Sequence, residues 1–153
     1  MKNEHSHNHY WRFFAMLFLS FVAMYIFMYA MVNTWSNVYH SFNQIYMALL
    51  MVAVMAIIEI GLMYSMYPNK KANAAIVVGS AVILLGSWFA IRYQIGISDK
   101  QFLRSMISHH ASAILMCEQV EIQDHDILDL CSRITTSQQK EIEEMKQKLN
   151  ALQ

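Results

Sequence analysis

Three long stretches of this sequence carry almost no charge, and they limit the folds open to the chain. Residues 13–32 contain no charged side chain, residues 45–67 contain only Glu59, and residues 74–91 contain none. Each stretch is long enough to cross about 30 Å of hydrocarbon as an α-helix. Only 14% of the 153 residues are charged, against roughly 25% in an average soluble domain. The sequence therefore predicts three transmembrane helices and disfavours an ordinary soluble fold.

The basic residues beside these stretches predict how the chain crosses the membrane. Lys2 and Arg12 precede the first stretch, Lys70 and Lys71 separate the second and third, and residues 33–44 contain no Lys or Arg. The positive-inside rule then places the N-terminus in the cytoplasm and the C-terminal segment outside. In a bacterium this describes an inner-membrane protein with a periplasmic or extracellular C-terminal domain.

The uncharged stretches and the basic residues beside them divide the chain into three predicted parts. Residues 1–12 form a cytoplasmic tail that contains three histidines, residues 13–95 form the three-helix membrane region, and residues 98–153 form the extracytoplasmic domain. The tail histidines, His5, His7 and His9, either bind a metal or are simply polar. The lipid bilayer is the expected surrounding of the middle part, and the charge pattern gives no sign of nucleic-acid binding.

Methionines recur along the first two uncharged stretches. Three of them precede Glu59 at four-residue steps, and others lie near the end of the first stretch. Thioethers are soft metal ligands, but methionine is also a flexible apolar side chain that packs well, so both interpretations stay open. Glu59 is expected to face other helices, because a charge in hydrocarbon is costly. The candidate membrane path for a soft metal consists of Met28, Met31, Met47, Met51, Met55 and Glu59.

The C-terminal segment has the pattern of a helical hairpin. Residues 98–101, Ser-Asp-Lys-Gln, fit a capping box that begins a helix, and the predicted helices run over residues 99–123 and 124–149. A turn centred on residue 124 makes Cys117 face Cys131, makes His110 face Gln138, and brings Met106 near the turn that holds Glu141. The cysteines then form a disulfide, remain buried thiols or bind Cu(I). Because some fifty residues make a small core, oligomerisation is expected to complete the fold.

Residues 102–116, FLRSMISHHASAILM, resemble the signature F-x-x-x-M-I-P-H-H-x-x-A-I-x-M of the "domain of unknown function 305" family. Residues 138–145, QQKEIEEM, resemble its Q-x-x-E-I-x-x-M ending. Ser108 replaces the family's usual proline, and both cysteines stand where alanine is common. The resemblance implies a ferritin-like helical fold that binds copper outside the cytoplasm through His and Met. Carried over to this sequence, it implies the metal ligands Met106, His109, His110, Met116 and Met145, with Gln138 and Glu141 as supporting residues.

The fold expected from these patterns is an all-α membrane protein, with three transmembrane helices followed by an extracytoplasmic ferritin-like hairpin. The leading functional hypothesis is membrane-anchored binding of Cu(I), or the chemically similar Ag(I), for metal tolerance or delivery. One alternative is an oligomeric copper transporter that uses the membrane methionines, and another is a structural hairpin that only dimerises. We expect no enzyme, since His109, His110 and His125 lack the preceding carboxylate of a di-iron site and other catalytic motifs are missing.

Overall fold

The computed structural model describes the backbone of residues 2–152 and the side chains of residues 9–152. The predicted metal role of His5 and His7 therefore lies outside the described side chains. Within the described part, the chain is all helical and has no strand. The five α-helices are α1 (Lys2–Phe27), α2 (Phe42–Leu62), α3 (Lys70–Arg92), α4 (Asp99–Gln119) and α5 (His125–Ala151).

Three apolar segments are long enough to cross a membrane, as the uncharged stretches predict. They are His9–Met31, Phe42–Leu62 and Lys70–Arg92. The third is capped by Asn69, whose side-chain oxygen accepts hydrogen bonds from the backbone N–H groups of Lys71 and Ala72, both at 3.1 Å. These bonds satisfy two of the donors that every helix start leaves unpaired. Beyond α3 the chain turns through Gly96, whose φ of 73° is the left-handed geometry that glycine adopts without strain.

The first compact unit joins α1 to the segment Ile45–Ile95. Its core consists of Phe13, Ala56, Ile60 and Tyr67. The Tyr10 hydroxyl donates to Asn73 Oδ1 at 2.7 Å, which attaches the start of the first apolar segment to the start of α3. Packing and a long-range hydrogen bond therefore hold these helices together at one end.

The second compact unit joins Met28–Gln44 to the chain that follows Gly96. Its core contains Leu103, Ile107 and Ile114 from α4 and Ile142 and Leu149 from α5. Burying each such side chain stabilises the fold by about 1.5–3 kcal/mol. Residues 28–44, the end of the first apolar segment and the loop that follows it, thus pack against the hairpin.

Ser108 explains part of that packing. Its hydroxyl donates to the Asn37 carbonyl at 3.0 Å and accepts from the Tyr39 N–H at 3.3 Å. A proline, the residue expected here from the family signature, could make neither bond, because its side chain has no polar group. Ser108 thus attaches residues 32–41, which we call the first loop, to α4.

Two local predictions about the hairpin need correction. The capping box at residues 98–101 does not form, since Ser98 makes no side-chain cap bond. The Gln101 Oε1 atom instead accepts from the Phe42 N–H at 3.0 Å. Helix α4 also ends at Gln119 rather than at residue 123, because reversing direction between two antiparallel helices needs non-helical chain. Asp124 caps α5 by accepting from Asp126 N at 2.9 Å and Ile127 N at 3.1 Å.

Candidate metal site

His110 lies on the buried face of α4, where only 7% of the residue is exposed. Its Nε2 atom is 2.8 Å from Glu141 Oε2 on α5. A hairpin turn centred on residue 124 predicted that Gln138 faces His110. The observed partner, Glu141, lies about one helical turn further along α5.

Glu141 is held by a second hydrogen bond. Its Oε1 atom accepts from the Ser137 hydroxyl at 2.7 Å. This bond, and then the one from His110, lower the pKa of the Glu141 carboxyl below its usual value. The carboxylate is therefore ionised at neutral pH and can only accept hydrogen bonds. When the His110 ring is neutral, its proton is therefore on Nε2.

With the proton on Nε2, the Nδ1 atom of His110 carries a lone pair. This atom is buried and has no hydrogen-bond partner among the described residues, and the same is true of Gln138 Oε1. Leaving a buried acceptor unpaired costs about 1–3 kcal/mol. Two unpaired acceptors in the buried face of one hairpin are suited to a ligand that brings positive charge.

The predicted methionine ligands lie in different surroundings. Met106 precedes His110 by one turn on α4 and is half-buried, and Met145 follows Glu141 by one turn on α5 and packs against the hairpin core. Residues four apart share a helix face, so the structure keeps Met106 with His110 and Met145 with Glu141. Met116 is 52% exposed, because six residues from His110 it points to another face. The structure therefore does not bring it to the buried histidine.

His109 is separated from His110 in the same way. Its ring is exposed, with its centroid 6.0 Å from that of His110. It lines a cleft of about 180 Å³ together with Met28 and Gln44. The family resemblance implied both His109 and His110 as ligands, although adjacent residues cannot share a helix face, and the sequence placed Met28 in the candidate membrane path. The proximity of His109 to Met28 depends on tertiary packing, which neither motif spacing nor helix periodicity reveals.

The two cysteines form a disulfide in the structure. Cys117 on α4 and Cys131 on α5 are joined, with their Cα atoms 5.3 Å apart. Of the three states considered for these residues, the structure has the bridge. A disulfide removes both thiolates as metal ligands. Among the described residues, no group of three or more His, Cys, Asp or Glu side chains could hold a metal ion.

The candidate membrane residues do not share one environment. Met31 and Met47 are exposed, whereas Met51 and Met55 are half-buried. Glu59 is half-buried, and its Oε1 atom accepts from the Tyr67 hydroxyl at 3.2 Å. It also lines a cavity of about 600 Å³ with α1 residues that include Arg12, so it faces another helix as expected. Transport along these methionines stays a prediction.

Two comparisons with known proteins bear on this site. Residues 92–149 match the family profile described as "Domain of unknown function (DUF305)". The chain is also 37% identical over 136 residues to "Uncharacterized protein L153" of Acanthamoeba polyphaga mimivirus, and the alignment covers 85% of this chain and 86% of that protein.

This chain belongs to the family of protein L153 and carries a DUF305 domain. The resemblance seen in the two sequence motifs is thereby confirmed. An alignment over 85% of the chain extends well beyond residues 92–149, so the likeness to L153 includes much of the helical part before the domain. No solved structure gives a significant match. The DUF305 domain contains His110, Glu141 and both cysteines, whereas Met28 lies outside it.

Proposed function

We propose that this chain is a membrane-anchored protein that binds Cu(I), or the similar ion Ag(I), through its DUF305 domain on the extracytoplasmic side, for metal tolerance or delivery. One observation carries the proposal. The Nε2 atom of His110 is engaged by the Glu141 carboxylate, while its Nδ1 atom is buried and unpaired. Metal-binding histidines almost always give their other ring N–H to a carboxylate, a carbonyl or water, which fixes the tautomer and orients the ring.

The ligand atoms near His110 determine which metal ions the site would prefer. Met106 shares its helix face, and Met145 shares the face of Glu141 on the facing helix. Thioether and imidazole donors suit Cu(I), whereas Mg²⁺, Ca²⁺ and Mn²⁺ prefer oxygen ligands. The disulfide leaves no thiolate among the described residues, which removes the ligands that most structural zinc sites use. A soft monovalent ion fits this donor set best.

The proposed location combines the apolar helices with the distribution of basic residues. The chain has three helices able to cross a membrane, so its two ends fall on opposite sides when all three do. Lys70 and Lys71 lie between the second and third of them, which favours the cytoplasm for that connection. The DUF305 domain then lies outside, where a disulfide is stable.

A competition titration tests the buried site. The full chain in mild detergent would compete for Cu(I) against a chromophoric Cu(I) chelator, with His110→Asn and Met106→Leu as the test variants. Each is expected to weaken binding at this site about 10-fold or more, since every lost ligand removes a direct metal bond. Met116→Leu is the matched control, because Met116 is exposed on another face of the same helix, and its affinity should equal that of the wild type. Unchanged affinity in both test variants would eliminate the site.

A further inference from the structure

The cleft beside His109 is distinct from the buried site of His110. It has a volume of about 180 Å³ and lies where the end of the first apolar segment and the chain that follows it pack on α4. Met28 and Gln44 line one part of it, and His109, Ser105 and Ser112 line the other. His109 is exposed, so solvent reaches the cleft directly.

Several hydrogen bonds set the walls of this cleft. The Ser108 hydroxyl joins the Asn37 carbonyl and the Tyr39 N–H to α4. Asn43 Nδ2 donates to Ser105 Oγ at 3.2 Å, and the Phe42 N–H donates to Gln101 Oε1 at 3.0 Å. The first loop and the start of α2 are therefore attached to successive turns of α4. This packing places Met28 beside the helix that bears His109.

The side chains that line the cleft define its chemistry. They supply one imidazole, one thioether, an amide and hydroxyl groups, and none of them is a carboxylate. A hard divalent cation would find no anionic ligand there, whereas imidazole with thioether is a soft donor pair. The cleft is thus matched to the ion proposed for the buried site.

We propose that His109 and Met28 form a second, solvent-accessible site for Cu(I) or Ag(I). The inference extends the proposed function, because it assumes the same class of ion, but it depends on different residues. It also gives Met28, which lies outside the DUF305 domain, a role as a metal ligand beside a histidine of the domain. The two histidine ring centroids are 6.0 Å apart, so an ion at His109 is close to the buried site of His110.

The number of bound ions tests this second site. In the Cu(I) titration the wild type should bind two ions per chain, and Met28→Leu and His109→Asn should each bind one fewer. Met24→Leu is the matched control, since Met24 lies four residues before Met28 on α1 and is absent from the lining of the cleft; it should still bind two. The double variant Met28→Leu/His109→Asn should lose no more than either single variant, because both remove the same ion.

Protection from oxidation supplies a test that needs no substitution. Ag(I), which is redox-stable, should protect Met28 from hydrogen peroxide in the wild-type chain, as measured by peptide mass mapping, while Met31 keeps its rate of oxidation. Equal oxidation of Met28 with and without Ag(I), or two bound ions in Met28→Leu, would overturn the cleft site.

The two proposed metal sites can be refuted independently of each other. Loss of one ion in His110→Asn with none lost in Met28→Leu leaves the proposed function intact and refutes the cleft site. The reverse pattern supports the cleft site and refutes the buried one. A wild-type chain that binds no Cu(I) refutes both.

Discussion

Neighbouring residues in this chain have different roles because a helix turns by about 100° per residue. His109 is exposed and His110 is buried, although they are adjacent in sequence. The chemistry of His110 follows from Glu141, which fixes the ring proton on Nε2 and leaves a lone pair on Nδ1. At the scale of single residues, the proposed buried site therefore depends on one carboxylate and its charge.

Replacing that carboxylate should weaken metal binding. In Glu141→Gln the amide can donate to Nε2, which moves the ring proton to Nδ1 and blocks the lone pair. We expect Cu(I) affinity at the buried site to fall about 10- to 100-fold, as for other residues that orient a metal ligand. Glu144→Gln, an exposed change on the same helix whose carboxylate pairs with Lys148, should bind as the wild type does. Equal affinity in both variants would contradict this role for Glu141.

The lowered pKa of Glu141 predicts how the stability of the hairpin depends on pH. The Ser137 hydroxyl bond, followed by the His110 bond, holds the folded-state pKa below the value of an unfolded chain. Its stabilising contribution is therefore complete above the ordinary glutamate pKa of about 4.3, and it is lost as the pH falls through the folded-state pKa. By circular dichroism, the Tm of the wild type should approach that of Glu141→Gln on acidification. A Tm difference that is constant with pH would contradict this prediction.

At the scale of elements, the sequence predicted most of the helices because their signals are local. The three apolar helices follow from uncharged runs, and the hairpin follows from its amphipathic pattern. The capping box failed because Gln101 Oε1 is taken by the Phe42 N–H, a partner that is distant in sequence. The family motif implied His109 as a ligand without a partner outside the hairpin, and only tertiary packing places Met28 in the same cleft as His109.

The disulfide should be a main stabilising link of the hairpin. Cys117 and Cys131 are 14 residues apart, and closing a loop of about that length stabilises a fold by roughly 3 kcal/mol through the entropy of the unfolded chain. Cys117→Ser/Cys131→Ser should lower the free energy of unfolding of the hairpin by about this amount, measured by chemical denaturation in detergent. The intact wild-type mass should also increase by two hydrogens on reduction. An unchanged mass would show that the thiols are free.

At the scale of the whole molecule, the first loop and the DUF305 domain pack in one unit. A chain that crosses the membrane three times puts these two parts on the same side, so the packing is compatible with that topology. The hairpin also exposes Val120, Ile127, Leu128 and Leu130 near its turn. Association between copies would cover this apolar surface, and the homo-oligomer stays a prediction that a mass measurement in mild detergent can check.

Lysine labelling tests the topology. An amine reagent that does not cross membranes should modify Lys100 and Lys140 of the hairpin on intact cells, but Lys70 and Lys71 only after permeabilisation. Mass mapping of the labelled peptides distinguishes the two groups. Labelling of both groups on intact cells would refute three crossings, and labelling of Lys70 and Lys71 alone would invert the proposed orientation.

The state of the His110 ring is the most direct test of the proposed metal site. In the full chain with ¹⁵N-labelled histidine rings, nuclear magnetic resonance reports which ring nitrogen carries the proton and which one binds a metal. We predict a proton on Nε2 without metal, and a Nδ1 signal that shifts and couples to silver when Ag(I) is added. A proton on Nδ1, together with a His110 ring that does not respond to Ag(I), would contradict it.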